Sequence, residues 1–216
     1  MNRINLDGTP YMWGLLGTKP AAPGEPLRES AWEVVDGGSG HGLVLRGTAS
    51  GDANLPTEAF RGDRGWINDL GEYDWMDYYV QADVRLESAN AEAGVCLRVA
   101  PDDNAPYGDR FYELHLEALS ETQGVLQFRY RYYNPLSSSW VLYAPPEWPL
   151  VLVQNPTQWH AIAIEAIENG FQCYLDGTLG IAVTDYSPAA YQDGLVGLWV
   201  DGDAALFDNV TVLDLR

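Results

Sequence analysis

The chain has 216 residues, 46% of them hydrophobic and 20% charged, proportions of a folded domain rather than a disordered one, and about 200–250 residues is a common size for one β-sandwich. Thirty-one acidic side chains oppose 12 basic ones, for a formal net charge of −19, and Lys19 is the single lysine. Such a field repels phosphate backbones and anionic lipid, so nucleic acid and membrane surfaces are poor partners, whereas cations and neutral ligands suit it.

Residues 1–30 are rich in proline and glycine and show little alternation. They read as an extended N-terminal arm ahead of a sandwich domain over 31–216. The start, MNRINLDGTPYMWG, has no charged segment followed by an apolar one, so no signal peptide is visible. No apolar run approaches the ~20 residues of a membrane span, so membrane insertion is not expected.

From Trp32 onward, helical periodicity is nearly absent. Strands are expected at Trp32–Val35, Leu43–Arg46, Gly65–Leu70, Tyr78–Leu86, Gly94–Val99, Arg110–Glu117, Val125–Tyr132 and Trp140–Tyr143. After a proline-rich stretch read as a long loop (144–157), more are expected at Trp159–Ile167, Phe171–Leu175, Leu179–Thr184, Leu195–Val200 and Ala205–Leu213. Cys96 and Cys173 both fall in expected strands; they can bridge in an exported protein or remain two buried thiols.

Strand side chains alternate between faces. Tyr78, Val80, Ala82, Val84 and Leu86 share one face, as do Val95, Leu97 and Val99, then Tyr112, Leu114 and Leu116, then Leu126, Phe128 and Tyr130. If these four strands pair as a meander, their other face is polar and carries Asp83, Arg85, Arg98, Glu113, His115, Glu117, Arg129 and Arg131.

Several strings carry a resemblance: Trp32-Glu33-Val34-Val35-Asp36-Gly37, Gly94-Val95-Cys96-Leu97-Arg98, Gln158-Trp159-His160, Tyr174-Leu175-Asp176-Gly177, Leu195-Val196-Gly197-Leu198 and Phe207-Asp208-Asn209-Val210-Thr211-Val212. In order and spacing, over roughly residues 31–213, they resemble the concanavalin A-like lectin and glucanase superfamily, including its laminin-G-like and carbohydrate-binding members. The resemblance implies an all-β fold, a two-sheet antiparallel jelly-roll sandwich. It also implies a lectin-like carbohydrate-binding module acting outside the cell or at its surface, with a polysaccharide or glycan as partner. Asp176-Gly177 has its own local reason, because Gly accepts the positive φ of a tight hairpin.

Glu113-Leu114-His115-Leu116-Glu117 is similar to the E-x-D-x-E strand of the superfamily's retaining β-glucanases, whose outer glutamates act as nucleophile and acid/base about 5–5.5 Å apart. Glu113 and Glu117 match those positions, and His115 stands in place of the central Asp. The competing reading is a solvated charge ladder in which Arg98 and Arg129, on flanking strands, neutralise the two carboxylates. Taken as a binding site, the polar face presents Arg98, Glu113, His115 and Arg129. Aromatics at strand ends and in loops, Tyr73, Trp75, Tyr132, Tyr133, Trp140, Tyr143 and Trp148, offer ring faces to sugars, and Trp140 and Trp148 are the ones singled out. The resemblance further implies one structural Ca²⁺ held by Asp208 on the closing strand; hydrogen-bond donors or Arg46 are its alternative partners. A different class of function is self-association, with residues 1–30 added to a sheet edge.

Overall fold

The computed structural model describes residues 31–38, 40–48, 57–58, 76–101, 109–137, 139–187 and 190–215. The described residues form strands and no helix: β1 (Ala31–Asp36), β2 (Leu43–Thr48), β3 (Thr57–Glu58), β4 (Tyr78–Leu86), β5 (Ala91–Pro101), β6 (Asp109–Ala118), β7 (Gln123–Asn134), β8 (Ser139–Tyr143), β9 (Leu150–Gln154), β10 (His160–Ile167), β11 (Gly170–Leu175), β12 (Thr178–Thr184), β13 (Leu195–Gly202) and β14 (Ala204–Asp214). One sheet has the order β1-β2-β14-β4-β10-β11-β12. The other has the order β3-β13-β5-β6-β7-β8, with β9 also paired to β7. Every pairing among them is antiparallel. The result is a two-sheet jelly-roll sandwich. The expected strand at Gly65–Leu70 and the arm at 1–30 lie outside the described residues.

Alternation builds the core. Tyr78, Val80, Ala82, Val84 and Leu86 of β4 are fully buried and meet Val95, Leu97, Tyr112, Leu114, Leu116, Leu126 and Phe128 of the second sheet. Each buried Val, Leu or Phe contributes about 1.5–3 kcal/mol by leaving water. The stretch expected to be one loop over 144–157 contains β9. Tyr143 of β8 pairs Tyr130 and Leu150 of β9 pairs Gln127, so β8 and β9 lie end to end along one edge of β7. Pro145, Pro146 and Pro149, which lack an N–H for the ladder, lie in the 144–149 excursion between them.

The four-strand meander is corrected to three. β5, β6 and β7 pair in succession, but β4 sits in the other sheet between β14 and β10. Alternation within a strand does not say which sheet the strand joins. Residues 87–90 carry the chain from one sheet to the other, and Asp203 does the same between β13 and β14. The two crossings are stitched together: Ser88 donates to Asp203 at 2.5 Å, and the Asp203 N–H donates to the Asn90 carbonyl at 3.4 Å. Asp83 and Arg85 therefore belong to the outer face of the first sheet, away from Glu113.

Arg98 is also corrected. It has φ 52, and the register of β5 against β6 shifts between Leu97 and Ala100. This bulge breaks the alternation and turns Arg98 into the sandwich, where its guanidinium lies 5.1 Å over Phe171. It donates to the carbonyls of Tyr191 (2.7 Å), Met76 (2.8 Å) and Glu168. Burial pulls its pKa below the usual arginine value, while Tyr78 and Tyr112 oppose that shift. Gly194 makes the bulge possible from the other side: a Cβ there would stand 2.5 Å from the Arg98 carbonyl carbon.

Candidate functional site

The outer face of the second sheet gathers the remaining residues of the expected polar face. In register, Cys96 faces Glu113, Gly94 faces His115 and Glu92 faces Glu117 across β5 and β6, while Glu113 faces Arg129 and His115 faces Gln127 across β6 and β7. Trp199 of β13 is opposite Gly94 and completes the floor.

This face is not a solvated ladder. Glu113, His115 and Trp199 are fully buried, and Cys96, Val99, Phe111 and Trp199 form a hydrophobic cluster of their own. The Arg129 Nε donates to Glu113 Oε1, and its Nη2 lies 3.4 Å from Glu92 Oε2. The guanidinium stacks 5.0 Å over the Trp199 ring. Burial acts against the Arg129 charge, but the Glu113 and Glu92 carboxylates more than offset it and raise its pKa. Of the two arginines expected to neutralise the carboxylates, Arg129 does so and Arg98 does not.

His115 lies between the two glutamates of its strand, with Nδ1 3.8 Å from Glu113 Oε1 and Nε2 3.9 Å from Glu117 Oε2. These separations exceed hydrogen-bond length. Among the described residues, Glu113 Oε2, both His115 nitrogens and Trp199 Nε1 have no hydrogen-bond partner, although all are buried. Unpaired buried polar atoms are rare and ask for an explanation. The lip is more open: the side chains of Glu117, Glu92 and Arg129 are 35%, 30% and 14% exposed. His115 holds the Glu117 carboxyl below its ordinary value, whereas burial pushes Glu92 up against the pull of Arg129. Burial, then the Glu113 charge, lifts the Cys96 thiol well above its usual value.

Glu92 and Trp199 were legible but unread. The alternation of Ala91-Glu92-Ala93 continues β5 beyond its expected start at Gly94, and Leu198-Trp199-Val200 places the indole opposite the core-facing pair. Trp148 is elsewhere: it stacks on Phe128 at 5.3 Å and packs half-buried against the main core. Trp140 stands in β8 opposite Tyr133, remote from Glu113 in register. Cys173 belongs to the main core and Cys96 to the outer cluster; both thiols are free.

Asp208 occupies the outer face of the first sheet. Its Oδ2 is 2.8 Å from His41 Nδ1, and its Oδ1 accepts the Asn209 N–H at 2.7 Å. Arg46 instead pairs with Glu33 and Glu87. Asn209 has φ 49 and the register against β4 shifts beyond Asp208, so Phe207, Val210 and Val212 all face the core. Strict alternation would have put Asp208 and Val210 together; the bulge separates them. His41 in turn stacks on Trp159 at 4.0 Å. Among the described residues, no group of three or more His, Cys, Asp or Glu side chains converges as a metal site.

No protein-family model matches the chain, and no curated protein matches its sequence. Solved structures do match it. A glycoside hydrolase family 16 endo-glucanase from Bacteroides ovatus superposes with a TM-score of 0.54 at 12% identity, covering 93% of this chain and 94% of that one. A second family 16 enzyme of that organism's mixed-linkage glucan system gives 0.50 at 12% identity, over 84% and 85%. The carbohydrate binding module CBM66 from Bacillus subtilis gives 0.49 at 16% identity, over 85% and 91%. At these identities what the two glucan enzymes share with the chain is the fold, a two-sheet jelly roll.

Proposed function

We propose that the chain is a non-catalytic carbohydrate-binding module acting outside the cell, with the Glu92, Glu117 and Arg129 lip of the β5-β6-β7 face as its ligand surface. The observation that carries this reading is that both glutamates of Glu113-Leu114-His115-Leu116-Glu117 are matched with basic side chains. Glycosidic cleavage needs one carboxyl kept protonated by a raised pKa and a second free to attack or to activate water. Glu113 is buried in an ion pair with Arg129, and His115 holds Glu117 below its ordinary value, so Glu117 is not poised as proton donor. The same groups suit binding, since ionised carboxylates and a guanidinium make charge-assisted hydrogen bonds to sugar hydroxyls. Sharing its fold with two enzymes named for glucans supports a neutral polysaccharide as ligand class.

Affinity electrophoresis in gels cast with neutral polysaccharides, beside a reducing-end assay, tests this. We expect retardation by at least one polysaccharide, weakened about tenfold in Glu117→Ala by loss of a charged hydrogen bond, and no release of reducing ends. Failure of every polysaccharide to retard the protein overturns the reading.

One observation favours a second reading, a glycosidase using Glu92 and Glu117. These residues are cross-strand neighbours whose pKa values are pushed apart, Glu92 up and Glu117 down, the pattern of an acid and its partner carboxylate. Reducing ends released by the wild type and lost in Glu92→Gln would establish it in place of the first.

A further inference from the structure

The outer face of the first sheet carries a groove of about 470 Å³, within the range of small-molecule sites, lined by Glu165, Ile167, Gln172, Ala182, Thr184 and Tyr186 among others. Register explains its shape. Tyr79, Glu165, Gln172 and Ala182 form one row across β4, β10, β11 and β12, and Gln81, Ala163 and Tyr174 form the next. In the first row Ala182 lines the groove beside the longer Gln172 and Glu165, and its small side chain leaves room there. The Tyr79 hydroxyl donates to Gln81 Oε1 at 2.7 Å, and the Tyr174 hydroxyl donates to Gln172 Oε1 at 3.1 Å. With both amide oxygens engaged, each Nε2 is left as a donor among the described residues. Tyr186 lines the groove with its side chain almost wholly in solvent, 89% exposed.

We propose that this groove is a second carbohydrate site, binding a neutral oligosaccharide on Tyr186, Gln172 and Glu165. It is separate from the Glu117 lip and does not rest on the reading of that face. Tyrosine offers an apolar ring to the apolar side of a sugar and a polar edge besides. The Gln172 amide supplies a donor and Glu165 an acceptor for hydroxyls. Glu165 and the net charge of −19 repel acidic glycans, so the ligand is uncharged. Strands hold most of the lining in place, which lowers the ordering cost of binding.

The test is ¹⁵N NMR of the full chain titrated separately with neutral tetrasaccharides of β-glucan, xylan, mannan and galactan. At least one should shift the amides of Glu165, Gln172, Ala182 and Thr184. The Gln172→Ala/Tyr186→Ala double variant removes two exposed side chains, and its unchanged spectrum elsewhere confirms the fold. Its affinity, read at the Glu165 and Thr184 amides, should fall about tenfold. Shifts confined to β5, β6 and β7 overturn the groove and leave the lip standing. Groove shifts with unaltered affinity in the double variant overturn the assignment to these residues. No shift with any of the four sugars overturns both sites.

Discussion

The outer faces of the two sheets use polar residues in opposite ways. On β5-β6-β7, carboxylates, an imidazole and a guanidinium are pressed together over an indole, with Glu113 and His115 fully buried. On β10-β11-β12, Glu165, Gln172 and, just beyond the last strand, Tyr186 stand half-exposed to exposed around a groove. Both faces arise from the same alternation, yet one is an ion-pair network in a low-dielectric setting and the other a solvated groove. Polarity in a strand pattern thus says that a residue points away from the core, and nothing about what it then meets. In the first setting one charge depends on another; in the second each side chain is nearly independent.

The sharpest way to break the contrast is Arg129→Ala. It strands Glu113 as a buried carboxylate without its cation, a change that costs about 3–5 kcal/mol. Urea unfolding should show that loss, whereas the exposed groove substitution Gln172→Ala should stay within about 0.5 kcal/mol. Equal small losses would mean that the β5-β6-β7 face is as solvated as the groove.

A smaller effect sharpens the picture of that face. Glu92 has a folded pKa raised above 4.5, so its contribution is favourable below that value and is lost as pH rises through the raised one. Glu117 has the opposite sign: its folded value is depressed below 4.5, so its contribution is present above 4.5 and lost as pH falls through the depressed value. Glu92→Gln should therefore match the wild type in acid and become the more stable protein as pH rises toward neutrality, measured by thermal melts across pH. A variant less stable at neutral pH would show that the Arg129 pair outweighs the burial of Glu92.

The smallest effect concerns Asp208 on the opposite sheet. His41→Ala removes one of its partners and leaves the Asn209 N–H, so stability should fall by about 1 kcal/mol. Repeating the wild-type melt in EGTA and then in millimolar Ca²⁺ tests the calcium expected there. A higher midpoint in Ca²⁺ supports the ion, and an unchanged one overturns it.

Strand positions were largely legible because alternation and turn chemistry are local. Asp176 and Gly177 both take positive φ at the expected hairpin, and the Asp176 carboxylate caps the Ala161 N–H at 2.9 Å. β9 was missed because the prolines before it read as loop, although they only split an edge strand in two. Of the candidate site, Glu113, His115 and Arg129 do meet, since adjacent strands of a meander keep their phase. Arg98 and Trp148 do not join them, the one turned inward by a bulge and the other packed on the core. Gln172 and Tyr186 come together through the local β11–β12 hairpin, but alternation alone does not show that their face is open as a groove.

The sequence by itself determined an all-β sandwich and its core-facing residues, because the period of two and the turn residues act over a few positions. Only the tertiary structure decided that β4 leaves the meander, that single left-handed residues at Arg98 and Asn209 reset the phase of their strands, and which polar face is closed over. Those outcomes depend on which distant strands pair and on where a one-residue bulge is tolerated, and neither leaves a mark in local periodicity.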